Sequence, residues 1–158
     1  MAAKVSVSGV SQAQKQLRSV QYRLFPKRGG PVLSGLRAGA TVIRGAWRNE
    51  IDRQVAESRA DGSQYQPTGT MRKSVKIYRL RRPERVGATE AVRVTIDPLA
   101  KYESGERVAA VAGILENGRS DMPAKALVRK AFDASEDQAI AAIQAGIEQR
   151  MAKILSKL

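Results

Sequence analysis

The stretch that most constrains the fold runs from Val108 to Phe132 and reads VAAVAGILENGRSDMPAKALVRKAF. An apolar run, Val108 to Leu115, gives way to a polar Glu116-Asn117-Gly118 turn and a Met122-Pro123 dipeptide, after which helical spacing begins near Ala124. A run that is apolar throughout fits a strand covered on both sides, so the sequence predicts a buried strand, an exposed corner and a helix in one piece. Gly118 permits the turn, and Pro123 stiffens the way into the helix. The corner must project outward, and Glu116 reads as a contact or capping carboxylate rather than a catalytic one.

The elements around this stretch follow from periodicity. Ala13, Leu17, Val20 and Leu24 mark one helical stripe between Ser11 and Phe25, and the breaker cluster Pro26 to Pro31 ends it. A second helix is predicted from about Val32 to about Glu57, with Leu36, Ala40, Ile43, Trp47, Ile51 and Val55 on an apolar face. Its other face is basic, with Arg37, Arg44, Arg48 and Arg53. Trp47 is expected to anchor the core. Ser58 to Gln66 reads as a loop. Alternation then predicts strands at Val75 to Arg82 and Val92 to Ile96, joined as a hairpin whose tip carries Arg81, Arg82 and Arg85. Leu99 to Arg107 is a charged loop, and a long helix should run from Ala124 to the C-terminus, its apolar stripe drifting around Ser135 to Ala139.

This order predicts a single α+β domain over residues 1–158, with 1–30 as an N-terminal helix and linker and 31–158 as the core. The expected architecture is a small antiparallel sheet of three to four strands, packed against a long central helix and a long C-terminal helix.

Composition removes most chemistries. The chain has neither Cys nor His, which excludes disulfides, thiolate metal sites and most nucleophile–base pairs. None of the 15 acidic residues has a Lys two positions later, so a common metal-dependent nuclease pattern is missing. Thr68-Gly-Thr-Met-Arg-Lys-Ser74 ends like a phosphate-binding loop, yet it lacks the second Gly and leads into a strand. Glu116 and Asp121 sit on a polar corner rather than in a pocket. The expectation is no catalysis, no cofactor and no metal. No secretory leader or membrane span is expected either.

Charge is distributed unevenly. Residues 1–85 carry 18 Lys and Arg against 5 Asp and Glu, a net +13, whereas residues 86–158 carry 10 against 10. Such a half faces either a polyanion or an acidic protein, or is simply a solvated basic face. With aromatics at only 4%, base-stacking recognition is short of platforms.

Two stretches together resemble a known family. Thr68-Gly-Thr-Met-Arg-Lys-Ser-Val75 is similar to a Thr-Gly-x-Leu-x-x-Ser-Ile segment, and Gly113 to Phe132 is similar to a Tyr-x-x-x-Glu-Phe-Gly-Thr segment followed by a Pro- and Arg-containing helix start. Both belong to the neck, or tail-completion, proteins of long-tailed bacteriophages. The matching positions are Thr68, Gly69, Met71 and Ser74, then Glu116, Gly118, Pro123, Arg129, Ala131 and Phe132. The chain departs from the pattern at Asn117, where an aromatic is usual, at Ala126-Leu127 in place of Pro-Phe, and at Lys130 in place of a second Pro.

The resemblance implies a virion structural protein at the head–tail junction, assembled in the host cytoplasm and acting as a ring of six subunits without enzymatic activity. It implies other neck and tail proteins as partners, and DNA passing through the ring. Assembly contacts are then expected at Thr68, Gly69, Met71, Ser74, Glu116, Gly118, Asp121, Pro123, Arg129 and Phe132, with a basic face at Arg37, Arg44, Arg48, Arg81, Arg82 and Arg85. The alternative from another class is a stand-alone basic nucleic-acid-binding protein.

Overall fold

The computed structural model describes residues 29–60 and 69–157, together with 15, 18–20, 22 and 26. Lys15, Arg18, Ser19, Val20 and Tyr22 are helical, and the rest of the predicted first helix lies outside the described residues. So do residues 61–66 of the predicted loop and Thr68.

A 31-residue helix, α1 (Gly30–Ala60), is the axis of the fold. It is followed by a short helix, α2 (Thr70–Ser74), then by β1 (Val75–Arg79), a 3-10 turn (Pro83–Val86) and β2 (Val92–Ile96). Three helices complete the chain: α3 (Val108–Asn117), α4 (Leu127–Asp133) and α5 (Glu136–Leu155). The predicted α+β class is observed, with helices dominant and an antiparallel sheet.

That sheet holds two strands among the described residues, not three to four. Its register pairs Val75 with Ile96, Ile77 with Val94 and Arg79 with Val92, so the apolar side chains share the face turned to α1. Lys76, Tyr78, Arg93 and Thr95 lie on the opposite face. A slip of one residue would exchange the two faces, which is why the alternation fixes the register.

The missing strand is Val108–Leu115, which is helical instead. The run contains Ala109, Ala110 and Ala112, and Ala is the best helix former. Val108 is fully buried, Val111, Ala112 and Leu115 are partly buried, and Ala109 and Ala110 face solvent. That is helical spacing, hidden because the exposed positions are filled by Ala rather than by charge. The C-terminal helix is likewise two helices. They break at Ala134-Ser135, where the buried Ser135 hydroxyl donates to the Ala131 carbonyl at 2.7 Å. A serine bonded back to the preceding turn commonly bends a helix.

One core joins α1 through α4 and both strands: Trp47 and Ile51 from α1, Met71, Val75, Ile96, Val108, and Leu127 and Ala131 from α4. Trp47 is the anchor expected of it, at 7% exposure. The amino half of α1 packs instead on α5, antiparallel and at very short range. A Cβ on Gly35 would stand 2.5 Å from the Ile143 carbonyl oxygen, and one on Gly39 would stand 2.9 Å from that of Ala139. Small residues four apart allow two backbones to approach this closely, and only side chains without a Cβ fit.

Candidate functional site

The corner between α3 and α4 is tied down at every step. Gly118 closes α3 by donating its N–H to the Ile114 carbonyl at 2.7 Å, with φ 77° and ψ 179°. That conformation suits glycine alone, and a Cβ there would lie 2.8 Å from the Ala124 nitrogen. Arg119 and Met122 exchange backbone hydrogen bonds of 2.8 and 3.0 Å, and the Lys125 N–H returns to the Leu115 carbonyl at 2.7 Å. The tip displays a two-pronged Arg119–Asp121 ion pair at 2.6 Å, both side chains 61% exposed. The Arg119 guanidinium holds the Asp121 carboxyl below its ordinary range. In open solvent such a pair adds little stability.

Glu116 reaches across this corner. Its carboxylate accepts the N–H groups of Val128 at 2.7 Å and Arg129 at 3.3 Å, so it caps the first turn of α4. Helix α4 has no side-chain cap of its own, because its N-cap residue is Ala126. Ala126 also sits at φ 51°, a left-handed conformation that the proline expected from the resemblance cannot adopt.

The two stretches singled out in the sequence meet in space. Met71 from the Thr68–Ser74 segment and Ile114, Leu115, Met122 and Leu127 from the corner line one apolar groove of about 350 Å³, closed on its other side by Ile51 and Val55 of α1. Gly69 (φ 71°) leads into α2, while Met71 and Ser74 are buried, the Ser74 hydroxyl donating to the Met71 carbonyl. Their position is one of packing. Pro123, Arg129 and Phe132 are exposed beside the corner, Phe132 at 44%.

The basic candidates divide. Arg81, Arg82 and Arg85 are exposed at the hairpin tip, and Arg37 is exposed on α1 with Arg44 half-buried. Arg48 does not belong to an open basic face. It is half-buried, its Nη2 donates to the Val75 carbonyl at 3.0 Å, and its Nε has no acceptor among the described residues. Burial, with Arg44 and Arg72 nearby, pulls the Arg48 guanidinium below its usual value. Arg53 is neutralised by Glu50 and Glu57 on the same helix.

Sequence reading missed Glu90. Its nearly buried carboxylate pairs with Arg79 at 2.6 Å and accepts the Gly29 N–H ahead of α1. No local pattern signals a contact spanning 61 positions. The close α1–α5 packing did have a signal, the Gly35-x-x-x-Gly39 spacing.

The hairpin therefore runs back along α1, from Val75 beside Arg48 to Glu90 beside Gly29. The α4–α5 junction lies elsewhere. Lys130, Ala134 and Gln138 line a groove with Thr41, Gly45 and Asn49 at the middle of α1. This junction carries the exposed carboxylates Asp133, Glu136 and Asp137. From Gly29 to Gly45 is about 24 Å along the helix axis.

Among the described residues no three acidic side chains converge as metal ligands would, and no helix is long and apolar enough to cross a membrane. Comparison with models of protein families, with curated proteins and with solved structures found no match.

Proposed function

We propose that this chain is a structural subunit of a phage head–tail junction, a ring-forming neck or tail-completion protein that joins or finishes the tail. The observation that supports this reading is unlike charge on two surfaces of one subunit, the exposed carboxylates Asp133, Glu136 and Asp137 of the α4–α5 junction and the basic flank of α1 with Arg37 and Arg44. Unlike surfaces on one molecule dock head to tail, and head-to-tail contacts form a ring where their rotation closes. In this reading the acidic junction meets the Arg37–Arg44 flank of α1 in the next subunit.

The rigid, exposed corner from Gly118 to Pro123 then serves as the contact for neighbouring neck and tail proteins. Electron microscopy and native mass spectrometry of the chain, alone and mixed with tail tubes, test the reading. Six-membered rings are expected, dispersed by Glu136→Lys with Asp137→Lys and restored by Arg37→Glu with Arg44→Glu in the same chain. A monomer that leaves tail tubes undecorated overturns it. If that monomer also binds duplex DNA tightly at physiological salt, the stand-alone nucleic-acid-binding reading takes its place.

A further inference from the structure

We propose that the outward face of the β1–β2 ribbon is a contact surface for the phosphate backbone of duplex DNA. The ribbon has one face committed to the core, since Val75 and Ile96 are buried at 0% and 5% exposure. Register therefore forces Lys76, Tyr78 and Arg93 outward, with Tyr78 directly opposite Arg93 and Lys76 opposite Thr95. The ladder continues through the Leu80 N–H to the Ala91 carbonyl at 3.0 Å. Beyond it the tip is braced by buried Pro83 and by the Gly87 and Ala88 N–H groups, which donate to the Glu84 and Pro83 carbonyls at 3.1 and 3.2 Å. Arg81, Arg82 and Arg85 are thus carried on a fixed support rather than a loose loop.

Neutralisation separates this face from Arg48 and Arg53 of α1, though not from Arg37 and Arg44, whose substitution is the control experiment. Residues 75–96 hold six Lys and Arg against Glu84 and Glu90, and Glu90 is already engaged by Arg79 and the Gly29 N–H. No ion pair among the described residues involves Lys76, Arg82, Arg85 or Arg93. On α1, by contrast, Arg48 turns inward and Arg53 is paired twice.

The chemistry of the face selects the partner. Protein interfaces centre on an apolar or aromatic core, and this face offers one half-exposed Tyr78. Cations without an apolar centre suit a regular polyanion. Paired strands lie about 4.8 Å apart, and a two-stranded ribbon fits the roughly 12 Å major groove. The outward positions hold no Asn or Gln to read adenine, and the assigned contact is with phosphates, so two duplexes of unrelated sequence test for any guanine preference of the arginines. The inference stands on the ribbon alone and holds whether or not the chain closes into rings.

Fluorescence anisotropy of the full chain with duplexes of two unrelated sequences, titrated from 50 to 300 mM KCl, tests it. Equal affinity for both sequences is expected, with a slope of log K against log salt of about −3.6 for the four unpaired cations Lys76, Arg82, Arg85 and Arg93. Arg82→Gln, Arg85→Gln and Arg93→Gln together should reduce the slope by about 2.7 and the affinity at 100 mM salt at least tenfold. The corresponding Arg→Lys triple variant should keep both, which separates loss of charge from loss of fold. Glu136→Lys with Asp137→Lys should disperse rings while leaving the slope per subunit unchanged, so assembly and DNA contact fail independently. No binding at 50 mM salt overturns the proposal. So does a loss that follows Arg37→Gln with Arg44→Gln instead of the ribbon variants, or ribbon variants that bind DNA normally yet no longer join tail tubes, which would assign the face to an acidic protein.

Discussion

Glu116 caps a helix that begins eleven residues further along the chain, its Oε2 accepting the Val128 N–H at 2.7 Å while Oε1 takes the Arg129 N–H. The carboxylate thereby joins the end of α3 to the start of α4 and fixes the corner between them. A carboxylate at a helix amino end satisfies two otherwise open donors and favours the helix dipole. Glu116→Ala is expected to cost about 1–2 kcal/mol, with Glu116→Gln intermediate, read from urea melts. Equal stability of all three proteins would show that the cap contributes nothing. Because Glu116→Lys would disturb the fold as well as the surface, the corner's role in assembly is better tested at Asp121, which pairs with Arg119 at the exposed tip.

Ala126 stands just before that capped turn with φ 51° and ψ 47°. For a residue with a Cβ this conformation costs about 1–2 kcal/mol, and glycine adopts it freely. Ala126→Gly should therefore raise stability by about 1 kcal/mol, an unusual direction for an alanine-to-glycine change. Ala126→Pro should prevent α4 from docking, because proline is held near −65°. A glycine variant with a lower melting temperature than the parent would contradict the assignment of strain.

How much of this was legible depended on whether the signal was local. The register of the hairpin could be read because Val75 and Ile77 alternate with Lys76 and Tyr78, and charge marks the outer face. The course of α1 could be read from six apolar residues at helical spacing. Val108 to Leu115 misled because solvent-facing Ala109 and Ala110 look as apolar as buried Val108, which erased the contrast that distinguishes period 3.6 from period 2. The break at Ser135 showed only as a drift of the stripe. The Glu116 cap was anticipated in kind but not in partner, and the Glu90 contact with Gly29 has no sequence signature at all, since only the tertiary fold brings them together.

Glu50 offers a titration test of the α1 surface. The hydrogen-bonded Arg53 guanidinium holds the Glu50 carboxyl below the usual range against a smaller opposing effect of burial. A pKa lowered on folding contributes stability above the unfolded value of about 4.3, and that contribution disappears as pH falls through the folded value. Arg53→Gln should return the Glu50 titration upward in a carboxyl-carbon NMR experiment. It should lower stability at neutral pH, and the two proteins should converge in stability in strong acid. A Glu50 titration unmoved by the substitution would rule out Arg53 as the cause.

The same substitution at two glycines of α1 should act in opposite directions. Gly45 has open space where a Cβ would go, so Gly45→Ala should gain about 0.5–1 kcal/mol from helix propensity alone. At Gly35 the new Cβ would meet the Ile143 carbonyl oxygen at 2.5 Å, a backbone atom that no rotamer change can move aside. The helices must then separate, and Gly35→Ala should cost about 1–3 kcal/mol. The loss should appear first in α5, which packs on α1 rather than on the main core, as faster amide exchange from Ala139 to Ile147 with the hairpin unaffected. If both variants gained stability, α1 and α5 would have to pack more loosely than the Gly35 and Gly39 contacts require.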